Sequence, residues 1–309
     1  PLRKEIYPQK SFTTKLMLKM NDYNSIIQID DILVSGEILT EYFACDYDKC
    51  KGMLSDDEYN NISLSMTSGI EFFNSSYEGN NALGFIVNNH LAPAVLARSS
   101  FNERHLNNEI RLGLSQYVIL GSGYDTSAYK VNDKVKVFEI DKEEMICDKK
   151  KRVLKGKIDC SNVSYIGCDF NNDNWMEILK NTGFDSDKKT FWSMLGVSYY
   201  LDRDVFFEMI KLLSENMSSG SSIIFDYPTL EDDDDKTKKE ALAKATNEDM
   251  KGRYSRVDIL NFSREAHLKV YEDLGSNDIN NDYFYDYNTL NPDLRIYAPE
   301  GINYCLLVK

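Results

Sequence analysis

Histidine is nearly absent from this chain: His90, His105 and His267 are the only three in 309 residues. None stands at metal-ligand spacing from Cys45, Cys50, Cys147, Cys160, Cys168 or Cys305, and no CxxC pair occurs, which excludes the common zinc patterns and predicts no metal. The opening stretch PLRKEIYPQK has no apolar core of the secretory kind, so the cysteines are expected to be reduced thiols of a cytoplasmic protein. No run approaches the ~18 consecutive apolar residues of a membrane span, and no membrane partner is expected. Positive charge is in deficit: 36 Lys and Arg against 50 Asp and Glu leave a net charge of −14. Such a surface repels nucleic acid, so no nucleic-acid partner is expected either. The one basic cluster, Lys149-Lys150-Lys151-Arg152, reads as a solvated helix face. Internal repeats are also missing.

What is present is a change of rhythm near residue 115. Before it, SFTTKLMLKM (11–20), ISLSMTSGIEFF (62–73) and the stretch 85–114 place apolar residues at helical spacing, with Pro93 as a break or a helix start. A helical cap over 1–94 is expected, ahead of a domain over 95–309. After it, short apolar runs alternate with helical patterns. The runs are YVIL (117–120), VKVFEI (135–140), VSYIGC (163–168), FWSML (191–195) and SIIFDY (222–227). The helices are expected over 142–154, 174–183 and 203–217. Strand–helix alternation with nearly continuous apolar strands predicts a mostly parallel sheet covered on both faces. The highly charged stretch from about 229 to 264 reads as an insertion, partly helical and mobile. AHLKVYEDL (266–274) reads as a helix. RIYAPEG and INYCLLVK read as two strands turning at Pro299-Glu300-Gly301.

The first strand runs into Gly121-Ser122-Gly123-Tyr124-Asp125-Thr126. A strand, a glycine turn and a helix start form a cofactor position in doubly wound sheets. Thr126 stands where a dinucleotide fingerprint has its third glycine, which argues against an NAD-dependent oxidoreductase. The second strand ends in Glu139 and Asp141, either of which can accept hydrogen bonds from ribose hydroxyls. The third ends in Cys168-Asp169-Phe170, an acid that can accept from an adenine amino group beside a ring that can cover the base. A nucleoside without phosphates is implied, and S-adenosyl-L-methionine fits.

Residues 95–227 resemble the leucine carboxyl methyltransferase superfamily, in particular its bacterial branch of S-adenosylmethionine-dependent O-methyltransferases. The resemblance rests on Ala97-Arg98-Ser99-Ser100-Phe101, QYVILGSGYDTSAYK, KVFEID, YIGCDF and TFWSMLGVSYYLDRD, and more loosely on YEDLGSNDINNDYF and INYCLLVK. It implies an α/β fold of class I methyltransferase type: a Rossmann-like, mostly parallel seven-stranded sheet with an antiparallel C-terminal strand and an N-terminal helical cap. It implies methyl transfer to a carboxylate or hydroxyl of a small molecule, or to a protein carboxyl terminus. It also implies that Arg98 pairs the cofactor carboxylate, and that Gly121, Ser122, Gly123 and Tyr124 form the loop under the methionine tail. Asp141 takes the ribose, with Glu139 as the alternative, and Asp169 and Phe170 flank the adenine. Leu195 stands by the cofactor where relatives carry Glu, and Ser127 stands where they carry Arg. These two departures leave open a chain that binds the cofactor but is catalytically impaired. No catalytic base is identified: His90 and His105 read as structural, and a carboxylate acceptor is already ionised at neutral pH. Tyr199, Tyr200, Trp175 and Trp192 read as packing.

Overall fold

The computed structural model describes residues 70, 76–79, 85, 89, 92–170, 174–230, 251–292 and 295–309. Most of the expected N-terminal cap, His90 and the acidic run after Leu230 lie outside the described residues. A long helix, α1 (Ala92–Arg111), leads into seven strands: β1 (Gln116–Leu120), β2 (Lys136–Asp141), β3 (Val163–Gly167), β4 (Thr190–Met194), β5 (Ser222–Pro228), β6 (Lys269–Leu274) and β7 (Ile302–Val308). They form one sheet in the order β3-β2-β1-β4-β5-β7-β6. β1 to β5 pair in parallel, and β7 runs antiparallel between β5 and β6. The five expected parallel strands are all present, within a residue or two of the apolar runs that announced them. Together with β6 and the antiparallel β7 they make the expected mostly parallel seven-stranded sheet.

Both faces of this sheet are covered. Along β1, Tyr117 and Ile119 enter one core while Val118 and Leu120 enter the other. That alternation is why every β1 residue is buried and why its sequence shows no polar face. α1 packs on the first face through Leu96, Ala97 and Phe101, and α2 (Glu143–Lys155) adds Val153. The second face carries α3 (Trp175–Asn181), α4 (Arg203–Glu215) and α5 (Arg256–Glu265). α4 inserts Phe206, Ile210 and Leu213, all at most 1% exposed. Each such side chain contributes about 1.5–3 kcal/mol by leaving water.

Four expectations are corrected. The stretch 266–274 is not a helix: α5 ends at Glu265, His267 turns the chain in the left-handed region (φ 56°), and Lys269–Leu274 becomes the edge strand β6. Residues 295–301 form no strand. The hairpin partner of β7 is β6, because β7 is buried and needs a hydrogen-bonded neighbour on each side. The far end of the stretch read as an insertion belongs to the cover of the sheet. There a capping box of Ser255 and Asp258 opens α5, whose Phe262 stacks on Phe207 of α4. Finally, no full helix follows the glycine turn; Ser127–Lys130 is a four-residue 3-10 turn that leads directly to β2.

Candidate functional site

In an open parallel sheet, ligands bind beyond the carboxyl ends of the strands, where the strand order reverses. Here the order reverses between β1 and β4. β1 leaves the sheet through Gly121 (φ 64°) and Gly123 (φ 48°), a left-handed backbone that residues with a Cβ rarely adopt. The loop is tied to β2. The N–H groups of Gly121 and Ser122 donate to the Ile140 carbonyl (2.8 and 3.1 Å), and Gly123 N–H donates to Asp141 Oδ2 (2.7 Å). Lys142 N–H donates to Asp141 Oδ1 (2.7 Å). Asp141 therefore sits half-buried at the end of β2 with its carboxylate already bent toward the glycines.

Glu139, two residues earlier on the same strand face, has no exposure. Its Oε2 lies 2.7 Å from Lys149 Nζ, which is also fully buried and donates to the Asp125 carbonyl (2.7 Å). Burial pushes the Glu139 carboxyl up to about 7, against the pull of Lys149. Of the two acids, only Asp141 reaches the sheet edge; Glu139 props the loop from below. The basic cluster is corrected here as well. α2 turns Lys149 and Arg152 inward and leaves only Lys150 and Lys151 solvated. Tyr124 is buried and faces α2: its hydroxyl donates to Asp148, which also accepts from Arg152 Nε (2.8 Å). Ser127 is used locally, its N–H donating to Asp125 Oδ1 (2.7 Å) and its hydroxyl 2.9 Å from that of Tyr117.

β3 delivers Asp169 and Phe170, both half-buried, to the same edge. Cys168 N–H donates to the Asp141 carbonyl (2.9 Å), which fixes the ends of β2 and β3 together, and Phe170 rests edge-on against Trp175 with ring centroids 5.5 Å apart. β4 ends in Met194, followed by the buried Leu195 and by Gly196 (φ 66°). There a group that the sequence reading passed over becomes central. Asp226 of β5, 1% exposed, accepts from three elements: Gly196 N–H (2.5 Å), the Tyr199 hydroxyl (2.9 Å) and Arg98 Nη1 of α1 (2.9 Å). Burial works against the Arg98 charge, but Asp226 outweighs it and holds the guanidinium above its ordinary pKa. Burial, and then the Asp226 charge, push the Tyr199 phenol up. Asp226 was visible in sequence as an acid inside the apolar run SIIFDY, a position where a charge persists only with partners.

Among the buried oxygens with no hydrogen-bond partner among the described residues are Ser122 Oγ between the glycines and Tyr304 Oη, whose residue pairs with Asp226 across β5 and β7. An unsatisfied buried polar group costs about 1–3 kcal/mol, and a ligand supplying a partner removes that cost. Glycine backbone, a guanidinium, two edge carboxylates and an aromatic ring suit a ligand with a zwitterionic tail, a ribose and a base. The loop after β1 leads into a 3-10 turn rather than the full helix N-terminus on which a pyrophosphate sits. His105, by contrast, is tied to Glu272 (2.6 Å) at the β6 edge, and burial lowers its pKa. Trp175 and Trp192 are core residues. Among the described residues, no group of three or more His, Cys, Asp or Glu side chains is placed to hold a metal, and no helix is long and apolar enough to cross a membrane.

The leucine carboxyl methyltransferase family model matches residues 44–213. It thus begins well inside the stretch 1–94 expected to be a helical cap. A Bacillus subtilis (strain 168) protein named "Putative S-adenosyl-L-methionine-dependent methyltransferase YktD" is 31% identical over 275 residues, 84% of this chain and 88% of that protein. A similarly named Mycobacterium ulcerans (strain Agy99) protein is 34% identical over 122 residues, 38% of this chain and 40% of its own. Among solved structures, an S-adenosylmethionine-dependent methyltransferase from Clostridium acetobutylicum ATCC 824 overlaps 68% of this chain and 91% of its own with a TM-score of 0.45 and 11% identity. The family match spans more than half of the chain and the Bacillus relative more than two thirds, and the chain belongs to the leucine carboxyl methyltransferase family.

Proposed function

We propose that this S-adenosylmethionine-dependent methyltransferase is an O-methyltransferase whose acceptor is a carboxylate or hydroxyl of a small molecule or of a peptide carboxyl terminus. The observation that supports it most is the convergence of Gly121 to Gly123, Asp141, and Asp169 with Phe170 on the adjacent ends of β1, β2 and β3. In this reading the glycine backbone lies under the methionine tail and Arg98 meets its carboxylate. Leu195 forms an apolar wall beside the tail. Asp141 uses the lone pairs left beside its bonds to Gly123 and Lys142 to accept from the ribose hydroxyls. Asp169 accepts from the adenine amino group and Phe170 covers the ring. Tyr124 and Glu139 act one layer down, holding the loop through Asp148 and Lys149.

When bound, S-adenosylmethionine supplies a methyl group on a sulfonium, a leaving group that needs no further activation. Gly121 to Gly123, Arg98, Asp141, Asp169 and Phe170 would hold that donor so that its methyl group, leaving the C–S electron pair on sulfur, would be open to in-line displacement by an acceptor oxygen. The chain's contribution is alignment and exclusion of water. A carboxylate acceptor needs no proton removed, whereas a hydroxyl needs a base. The described histidines do not serve: His105 is committed to Glu272 and His267 sits in the exposed turn after α5. A carboxylate is therefore the favoured acceptor. Incubation with donor carrying a labelled methyl group and a panel of carboxylic acids and alcohols tests this. The expected product releases its label in mild alkali, as an ester does. Label held in an alkali-stable ether would move the assignment to a hydroxyl, and binding without turnover across the panel would support the catalytically impaired alternative.

A further inference from the structure

The best-tied charge at the sheet edge has no role in this scheme. Asp226 is buried, yet it gathers a hydrogen bond from each of three separate elements: Arg98 on α1, Gly196 in the turn after β4, and Tyr199 in the 3-10 turn that follows. Ser198 Oγ adds a fourth tie by donating to the Asp226 carbonyl (2.6 Å). Among the described residues Asp226 is the sole partner of the Arg98 guanidinium, and Arg98 retains 18% side-chain exposure against 1% for Asp226. One nitrogen of the guanidinium is thus anchored in the protein, on a side chain that keeps a minor share of its surface exposed. Leu195 offers no carboxylate at the end of β4, so the anion that fixes this corner comes from the neighbouring strand β5.

We infer that Asp226 is a positioning residue: it aims Arg98 at the carboxylate of the cofactor's amino-acid tail and holds the β4 turn against the same tail. The inference rests on the assignment of Arg98 under the proposed function. A guanidinium has five donors in a rigid fork, so anchoring one nitrogen orients the rest. Without the anchor the partly exposed side chain would exchange among rotamers and lose the alignment on which a paired carboxylate depends. At 1% exposure, Asp226 acts through Arg98 and Gly196 rather than by touching the ligand.

The test is calorimetric binding of S-adenosylhomocysteine and of its decarboxylated analogue to the full chain, to Asp226→Asn, to Arg98→Ala and to the double variant. The expected result is that Asp226→Asn weakens S-adenosylhomocysteine by about tenfold or more, the size of one lost charge-assisted hydrogen bond, and the analogue by less than about threefold. The double variant binds as Arg98→Ala does, within about threefold, because Asp226 has nothing left to aim. Because Arg98→Ala leaves the buried Asp226 carboxylate without its cation, Arg98→Lys serves as a second reference that keeps the pair. Asp226→Asn is expected to weaken S-adenosylhomocysteine less in the Arg98→Lys background than in the unaltered chain, equal weakening in both backgrounds overturning the inference. Equal weakening of both ligands, a further tenfold loss in the double variant, or tighter binding by Asp226→Asn overturns the inference. The first two outcomes assign Asp226 a merely structural role, and the third makes it a competitor for Arg98. No binding of S-adenosylhomocysteine to the unaltered chain overturns the underlying assignment instead.

Discussion

Single residues carry most of the chemistry at this sheet edge, and two neighbouring acids on one strand show how position divides their work. Asp141 sits where β2 ends and keeps contact with solvent; Glu139, one pleat deeper, is sealed against Lys149. The residue pattern left both acids open as the proposed ribose ligand, since both lie on one strand face; the family resemblance put Asp141 first, with Glu139 as the alternative. Lys149 was legible only as one of four basic residues in a row; its inward turn follows from the helix phase relative to the sheet. Removing it should be costly. Lys149→Met leaves a buried carboxylate unpaired and is expected to destabilise the chain by about 3–5 kcal/mol at pH 8, with much of the loss restored by Glu139→Gln in the same chain. The sign of the pH dependence follows from the raised Glu139 value. A carboxyl whose folded pKa lies above its unfolded one contributes stability that is full below the unfolded value, near 4.5, and is lost as pH rises through about 7. Without Lys149 the folded value climbs further and the loss extends to higher pH. Urea unfolding of the Lys149→Met variant between pH 5 and 8 should show stability recovering toward acid; a pH-independent deficit would contradict the pairing.

At the scale of elements, the five parallel strands were readable because burial on both faces leaves an unbroken apolar run. β6 was not. It is an edge strand with Lys269 exposed and Tyr271 71% exposed, so its apolar residues are too few to show period two. The helix before it also ends without a glycine. His267 takes the left-handed position that glycine normally fills after a helix, which hid the boundary between α5 and β6. That residue is exposed, so His267→Gly relieves strain at little other cost. It should raise stability by about 1 kcal/mol, read as a shift of the urea midpoint with an unchanged slope. A destabilised variant would mean that the His267 ring makes contacts outweighing its backbone strain. The turn after β1 was also misjudged in length. The Gly-x-Gly pattern announced the loop but not the four-residue 3-10 turn that replaces a full helix, because Asp125 and Ser127 close that turn through a local hydrogen bond.

For the whole molecule, strand order does what no single motif can. Gly121, Asp141 and Asp169 lie far apart in sequence, and they become neighbours only because β1, β2 and β3 are adjacent and parallel. The alternation of strands and helices made that arrangement readable. The convergence of Arg98, Gly196 and Tyr199 on Asp226 was not readable, since it depends on how α1 crosses the sheet and on a turn after β4. The same arrangement bears on the choice of ligand: the loop after β1 enters a four-residue 3-10 turn, not the full helix whose N-terminus receives a pyrophosphate. The most direct measurement is calorimetric titration of the full chain with S-adenosylhomocysteine, alongside NAD and an Asp141→Ala variant. The account predicts micromolar binding of S-adenosylhomocysteine, no heat with NAD, and affinity lowered by about tenfold or more in the variant. Absence of S-adenosylhomocysteine binding, or equal affinity with and without the Asp141 carboxylate, would contradict it.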